Sequence, residues 1–180
     1  MTRTLAVVLG AVAVLSVGAC SSSTPNYPDD ATGIIEETYQ PALGFGELTI
    51  TCDEPSSSDP ATTFECEAGT PGGAIVHFVA TIEDGETVSV QSTNVLGPDA
   101  LDQVEAEAAR ILSEESGIAV AADNIDCGHA LVAEAGQPFV CALRDPASPT
   151  VIYDASITLD DIRAPTDLQV AVASEPRPAP

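Results

Sequence analysis

Two cysteine pairs of equal spacing constrain this chain more than any other feature. Cys52 and Cys66 stand fourteen residues apart, Cys127 and Cys141 stand fourteen apart, and each member of the second pair follows its counterpart by seventy-five. A period of that length marks an internal repeat. Apolar types recur in step with it and without a gap: Ile50 with Ile125, Phe64 with Phe139, Val76 with Val151, Phe78 with Tyr153, Ala80 with Ala155 and Ile82 with Ile157. The 180 residues are therefore expected to hold two tandem units of about 75 residues each. Units so small bury only about 60% of their unfolded surface, so a covalent staple is expected in each.

The fifth cysteine is accounted for separately. An apolar run from Leu5 to Leu15 follows Arg3, and Ser16-Val17-Gly18-Ala19 leads to Cys20. The run is too short to cross a bilayer comfortably, which makes 1–19 a signal peptide rather than a membrane span. Val17-Gly18-Ala19-Cys20 resembles the bacterial lipobox. That resemblance implies an acylated Cys20 at the mature N-terminus and a chain held on the extracytoplasmic face of the cell membrane, where paired acyl chains give stable anchoring. Four cysteines then remain. They permit three connectivities, of which the repeat favours Cys52 with Cys66 and Cys127 with Cys141. Closing so short a loop stabilises by roughly 3 kcal/mol in the chain-entropy model. Thirteen intervening residues do not suit the closely spaced pairs of a four-thiolate zinc site.

Hydrophobic periodicity supplies the elements. A polar, Pro-containing stretch, 20–31, reads as the lipidated cysteine and a flexible tether. The first unit, 32–95, opens with a helix from Thr32 to Gln40 that Pro41 ends. Strands are expected at Glu47–Cys52, Thr62–Glu67, Ala74–Glu83 and Thr87–Ser92, with Asp84-Gly85 as a two-residue hairpin turn. The second unit, 97–174, has an amphipathic helix in which Leu101, Val104, Ala108, Ile111 and Leu112 recur at helical steps until Gly117. Its opposite face, Asp102, Glu105, Glu107, Glu114 and Glu115, reads as solvated. Strands follow at Asn124–Cys127, Pro138–Leu143, Thr150–Leu159 and Asp167–Ala173. A Pro-rich tail, 175–180, is expected to lack order. The fold class is α+β: two repeats, each one helix on a four-stranded antiparallel sheet with one disulfide.

From Cys127 the residues resemble a small actinobacterial domain of unknown function found in secreted proteins and lipoproteins. Its pattern of Cys-Pro, a Leu four residues on, a Gly nine on and a second Cys fourteen on is met by Cys127, Leu131, Gly136 and Cys141, with Gly128 in place of the Pro. The first unit matches less closely, since Asp53 follows Cys52 and Ala61 stands where the Gly would be. The resemblance implies a disulfide-bonded exported domain and brings no activity or functional residues. The tandem layout is also similar in form to the secreted β-lactamase inhibitory proteins, a likeness of architecture that carries no function.

Charge narrows the partners. Against 28 acidic residues there are five basic ones, all arginine, for a net charge of −23. Such a surface repels nucleic acid and anionic headgroups. Chemistry is sparse as well. His77 lies on the outward face of a strand and His129 in a loop, the serines of 21–23 and 56–58 have no base or nucleophile motif beside them, and no acidic stretch has the spacing of a calcium loop. The expectation is a chain without catalytic residues, cofactor or metal. What remains is binding. The outward set Ile75, His77, Val79 and Thr81 is more apolar than a solvated sheet face requires and is the candidate binding face. The sequence thus reads as a membrane-anchored, non-catalytic binding module of the cell envelope, with an envelope protein as its partner. An inhibitor or modulator of a secreted or envelope enzyme is the alternative.

Overall fold

The computed structural model of the chain describes residues 25–177. The leader 1–19 and Cys20 lie outside the described residues. The described residues form a mixed α+β structure with two four-stranded antiparallel sheets, each a simple meander, and two disulfides. The first sheet orders β1 (Thr49–Cys52), β2 (Thr63–Gly69), β3 (Ile75–Ile82) and β4 (Val88–Ser92). A short β5 (Val95–Leu96) and the long α3 (Pro98–Ser116) follow, with two helical segments, α1 (Tyr27–Ile34) and α2 (Gln40–Leu43), preceding the sheet. The second sheet orders β6 (Ile125–Asp126), β8 (Pro138–Asp145), β9 (Ser148–Leu159) and β10 (Leu168–Pro176), and β7 (Leu131–Val132) pairs with β5. Each four-stranded sheet covers its own hydrophobic cluster, one centred on Ile35, Val76 and Phe78, the other on Leu101, Val104 and Ile157.

Helix entry and exit differ from expectation in the first half. The helix begins at Tyr27, and Tyr27 and Ala31 are buried, so 27–31 belongs to the packed structure and is not tether. Pro41 does not end it. A π-turn over Ile35–Tyr39 widens the helix by one residue, and Gln40 N–H accordingly bonds Ile35 O. That leaves Pro41 at the first turn of α2, where its missing N–H costs least, and the chain stops instead at Gly44, whose φ of 68° is the left-handed conformation of a C-cap. Gly117 ends α3 the same way, at φ 70°.

Turn chemistry and register supply three more corrections. Glu83 N–H bonds Thr87 O, so the β3–β4 loop is 84–86 rather than a two-residue turn, closed by Asp84 accepting from the Glu86 and Thr87 amides. The gap-free register slips in the third strand: Cys66 stands opposite Phe78, but Cys141 stands opposite Ala155 and not Tyr153. An irregularity in the β8–β9 hairpin, between Arg144 and Asp145, absorbs the two residues. Because side chains alternate with period two, this slip keeps the buried face buried. Finally, the tail orders as far as Arg177: β10 runs to Pro176, Arg177 N–H bonds Ile152 O, and its guanidinium pairs with Asp154. Residues 178–180 lie outside the described residues.

Both disulfides staple neighbouring strands. Cys52 and Cys66 face each other across β1 and β2, and Cys127, the residue after β6, bonds Cys141 on β8. On α3 the acidic face is only partly solvated. Arg110 bridges Glu107 and Glu114 on the surface and holds the Glu107 carboxyl below its usual range, whereas Glu105 is half-buried and accepts the Cys127 N–H at 2.8 Å. Burial pushes the Glu105 carboxyl upward, and Asp102, Asp126 and Asp123 push the same way.

Candidate functional site

Strand β4 pairs with β3 only from Phe78 to Ile82, so the start of β3, paired with β2 on one side, has no strand beside it on the other. The Asn94 side chain takes that place. Its Oδ1 accepts the His77 N–H at 2.8 Å and its Nδ2 donates to Ile75 O at 2.9 Å, so one carboxamide continues the ladder that β4 abandons. Among the described residues Asn94 is the buried polar side chain, at 6% exposure, and burial is tolerated because every polar atom of the amide is used. Its own carbonyl accepts the Ala133 N–H at 2.9 Å. Beside this joint, Val95 pairs with Val132 and Leu96 with Leu131. Alternation then sends Val95 and Val132 into the first core and Leu96 and Leu131 into the second.

This joint sets the two sheets side by side and leaves a cleft of about 520 Å³ between them. Ile75 and His77 form one wall, and Val132, Glu134, Gln137 and Phe139 form the other. The second wall is shaped by a turn in which Gln137 N–H bonds Glu134 O and Gly136, at φ 73°, bonds Leu159 O. Only a residue comfortable in the left-handed region serves there, which gives a physical reason for the glycine. Ile75 is 47% exposed and presents apolar surface to the cleft. His77 Nδ1 lies 3.5 Å from Glu67 on the adjacent strand, an exposed pair whose energetic weight is small.

The four residues of the expected face separate. Ile75 and His77 reach the large cleft. Val79 and His77 line a smaller recess of about 200 Å³ with Glu65 and Thr93, and Thr81 stands farther along, between Thr63 and Ser89. Sequence reasoning did not find Glu134, Gln137 or Phe139, because they approach β3 only through the Asn94 joint. Asn94 itself was legible at most as a polar residue beside an apolar run. His129 is exposed in the loop after Cys127. Among the described residues no cluster of three or more His, Cys, Asp or Glu side chains is placed to hold a metal ion, and no helix is long and apolar enough to cross a membrane.

Neither family models nor curated proteins nor solved structures offer a match to this chain.

Proposed function

We propose that the chain is an exported, membrane-anchored binding module of the cell envelope, held through an acylated Cys20, which works without catalysis through the cleft between its two sheets. The observation that carries this reading is the cleft itself. It joins the outward apolar residue Ile75 to Phe139 of the other half across about 520 Å³, within the range of pockets that take a ligand or a partner's side chains. Among the described residues no Lys or Arg lines it, Glu134 does, and the chain's net charge is −23, so the fitting partner is neutral or basic. Two disulfides suit an oxidising, exported setting.

The proposed architecture is a tandem repeat of the actinobacterial domain described above. Two meanders with a disulfide between the first two strands of each sheet, and a glycine-capped helix before each, support it. The slip at Phe78 and Ala155 then records divergence between the copies.

The test is crosslinking of the acylated protein on its own cells, with mass spectrometry of what is captured, beside an Ile75→Asp variant. Ile75 is exposed enough for the substitution to leave the fold intact. Capture of one envelope protein, lost in the variant, is the expected result. Capture unaffected by Ile75→Asp removes the cleft from the reading, and a captured enzyme whose activity falls on binding turns the module into an inhibitor.

A further inference from the structure

Strand β10 closes the second sheet on one side, and its outer edge presents unpaired backbone. Asp160 N–H bonds Asp167 O, so Asp167 turns its backbone toward β9, and by alternation Gln169 and Ala171 do the same. The N–H and C=O groups of Leu168, Val170 and Val172 therefore point away from the sheet. Among the described residues none of these groups has a hydrogen-bond partner. Edge strands are normally blunted or covered, and the first half of the chain shows a covered one. There Thr93 N–H bonds His77 O and Glu83 N–H bonds Thr87 O, which turns Val88, Val90 and Ser92 outward, and the Tyr39 hydroxyl donates to Val90 O at 2.6 Å. Among the described residues no side chain does this for β10.

What fits an open ladder is another strand. Pairing with β9 is regular from Leu168 to Val172 and shifts register beyond, so this is the length on offer. From Gln169 to Ser174 the chain carries neither a charge nor a proline, and a neighbour can lie along it without burying either. The side chains of Leu168, Val170 and Val172 share one face, and Leu168 and Val170 pack into the second core. Val172 stands 39% exposed at an open apolar recess of about 330 Å³, also walled by Leu112, Val120, Leu143 and Tyr153. Cross-strand pairs share a face, so a residue paired with Val172 stands beside that recess. A free ladder and a recess for alternate side chains are the two parts of strand addition. Charge then selects the partner. Asp167 and Glu175 flank the stretch, Asp145 lines the recess, and Arg177 is already paired with Asp154. A second copy brings a further −23 to the same edge, whereas a segment with basic ends meets opposite charge at both.

We infer that the outer edge of β10 binds an extended segment of a partner protein as an added strand, an uncharged alternation of apolar and small polar residues with a basic residue at each end. The inference stands on the backbone of β10 and does not require the cleft to be a binding site.

The probe is a heptapeptide blocked at both termini, with a lysine at each end and threonine alternating with valine between, titrated into the protein while backbone amides are followed by NMR. Saturable shifts are expected at Leu168, Val170 and Val172, and none at Ile75 or His77. With the peptide at about ten times its Kd, hydrogen exchange of the three edge amides should slow about tenfold, because only the free edge exchanges. The same peptide N-methylated at both valines, whose N–H groups face β10 in the pairing, keeps every charge and side chain and should show no saturable binding. Glutamate in place of both lysines should weaken binding about tenfold in dilute salt. Val172→Pro removes one outward N–H without breaking a bond to β9 and should abolish the remaining shifts, with both disulfides retained as the check on folding. Equal binding of the N-methylated or the acidic peptide, shifts that survive Val172→Pro, saturable shifts at Ile75 in place of the β10 edge, or no saturation would overturn the inference. So would protection of the edge amides that rises with protein concentration alone, since a second copy would then be the occupant.

Discussion

Asn94 and Ala133 are joined by a single backbone hydrogen bond, 2.9 Å long, while the Asn94 side chain is spent on the backbone of β3 at His77 and Ile75. One residue therefore completes the first sheet and fastens the second half to it. Replacing it by alanine leaves a donor and an acceptor of β3 without partners in a part-buried place. Asn94→Ala is expected to lower unfolding stability by about 1–3 kcal/mol, read from urea titration. It should also loosen the wall that carries Ile75 and His77, so capture through the cleft falls with it. An unchanged urea midpoint would show that water replaces the amide without loss.

Glu105 makes a prediction with a definite sign. Its folded-state carboxyl is raised, chiefly by burial, so the protonated form is favoured in the fold. Its stabilising contribution is complete below the ordinary Glu value and is lost as pH rises through the raised folded value. Glu105→Gln keeps an oxygen for the Cys127 N–H and removes the ionisation. The variant is expected to gain on the parent between pH 4 and pH 7 by denaturation at each pH. Glu105→Ala removes the acceptor as well as the ionisation, so it should lose about 1 kcal/mol near pH 4 and less as the pH rises.

The two disulfides are expected to act within their own sheets. Non-reducing peptide mapping of the protein should return Cys52 linked to Cys66 and Cys127 linked to Cys141. Replacing either pair by alanine should cost roughly 3 kcal/mol, because each closes a short loop in the unfolded chain. Bridges that cross between the sheets would contradict the strand pairing itself.

Tyr27 tests where the packed structure starts. It is buried against the first core and its hydroxyl bonds Gly85 O at 2.7 Å. Tyr27→Ala is expected to cost about 3–5 kcal/mol, as for other large aromatic truncations. A chain begun at Thr32 should be destabilised comparably, whereas a true tether could be trimmed without effect.

The cysteine spacing, the alternation in β2 and β3 and the helical step of Leu101, Val104 and Ala108 were enough to place two disulfides, most of the strands and α3. These are local signals: the burial period of two or of three to four residues is written into neighbouring positions. Register within the β8–β9 hairpin was not legible, since a slip of two residues leaves the same side chains inward and so leaves no trace in the apolar pattern. Nor was the passage of the helix through Pro41, because a π-turn relocates the hydrogen bond that proline would otherwise break.

For the candidate site the division is sharper. By itself the sequence determined that Ile75 and His77 point outward from β3, because alternation fixes the face of every residue in a strand. Only the tertiary structure decided what stands across from them. Glu134, Gln137 and Phe139 lie some sixty residues downstream, brought near by one carboxamide that imitates a strand and by the two-residue ladder of β5 and β7. Such long-range pairings depend on geometry accumulated over a whole sheet, and no periodicity along the chain encodes them.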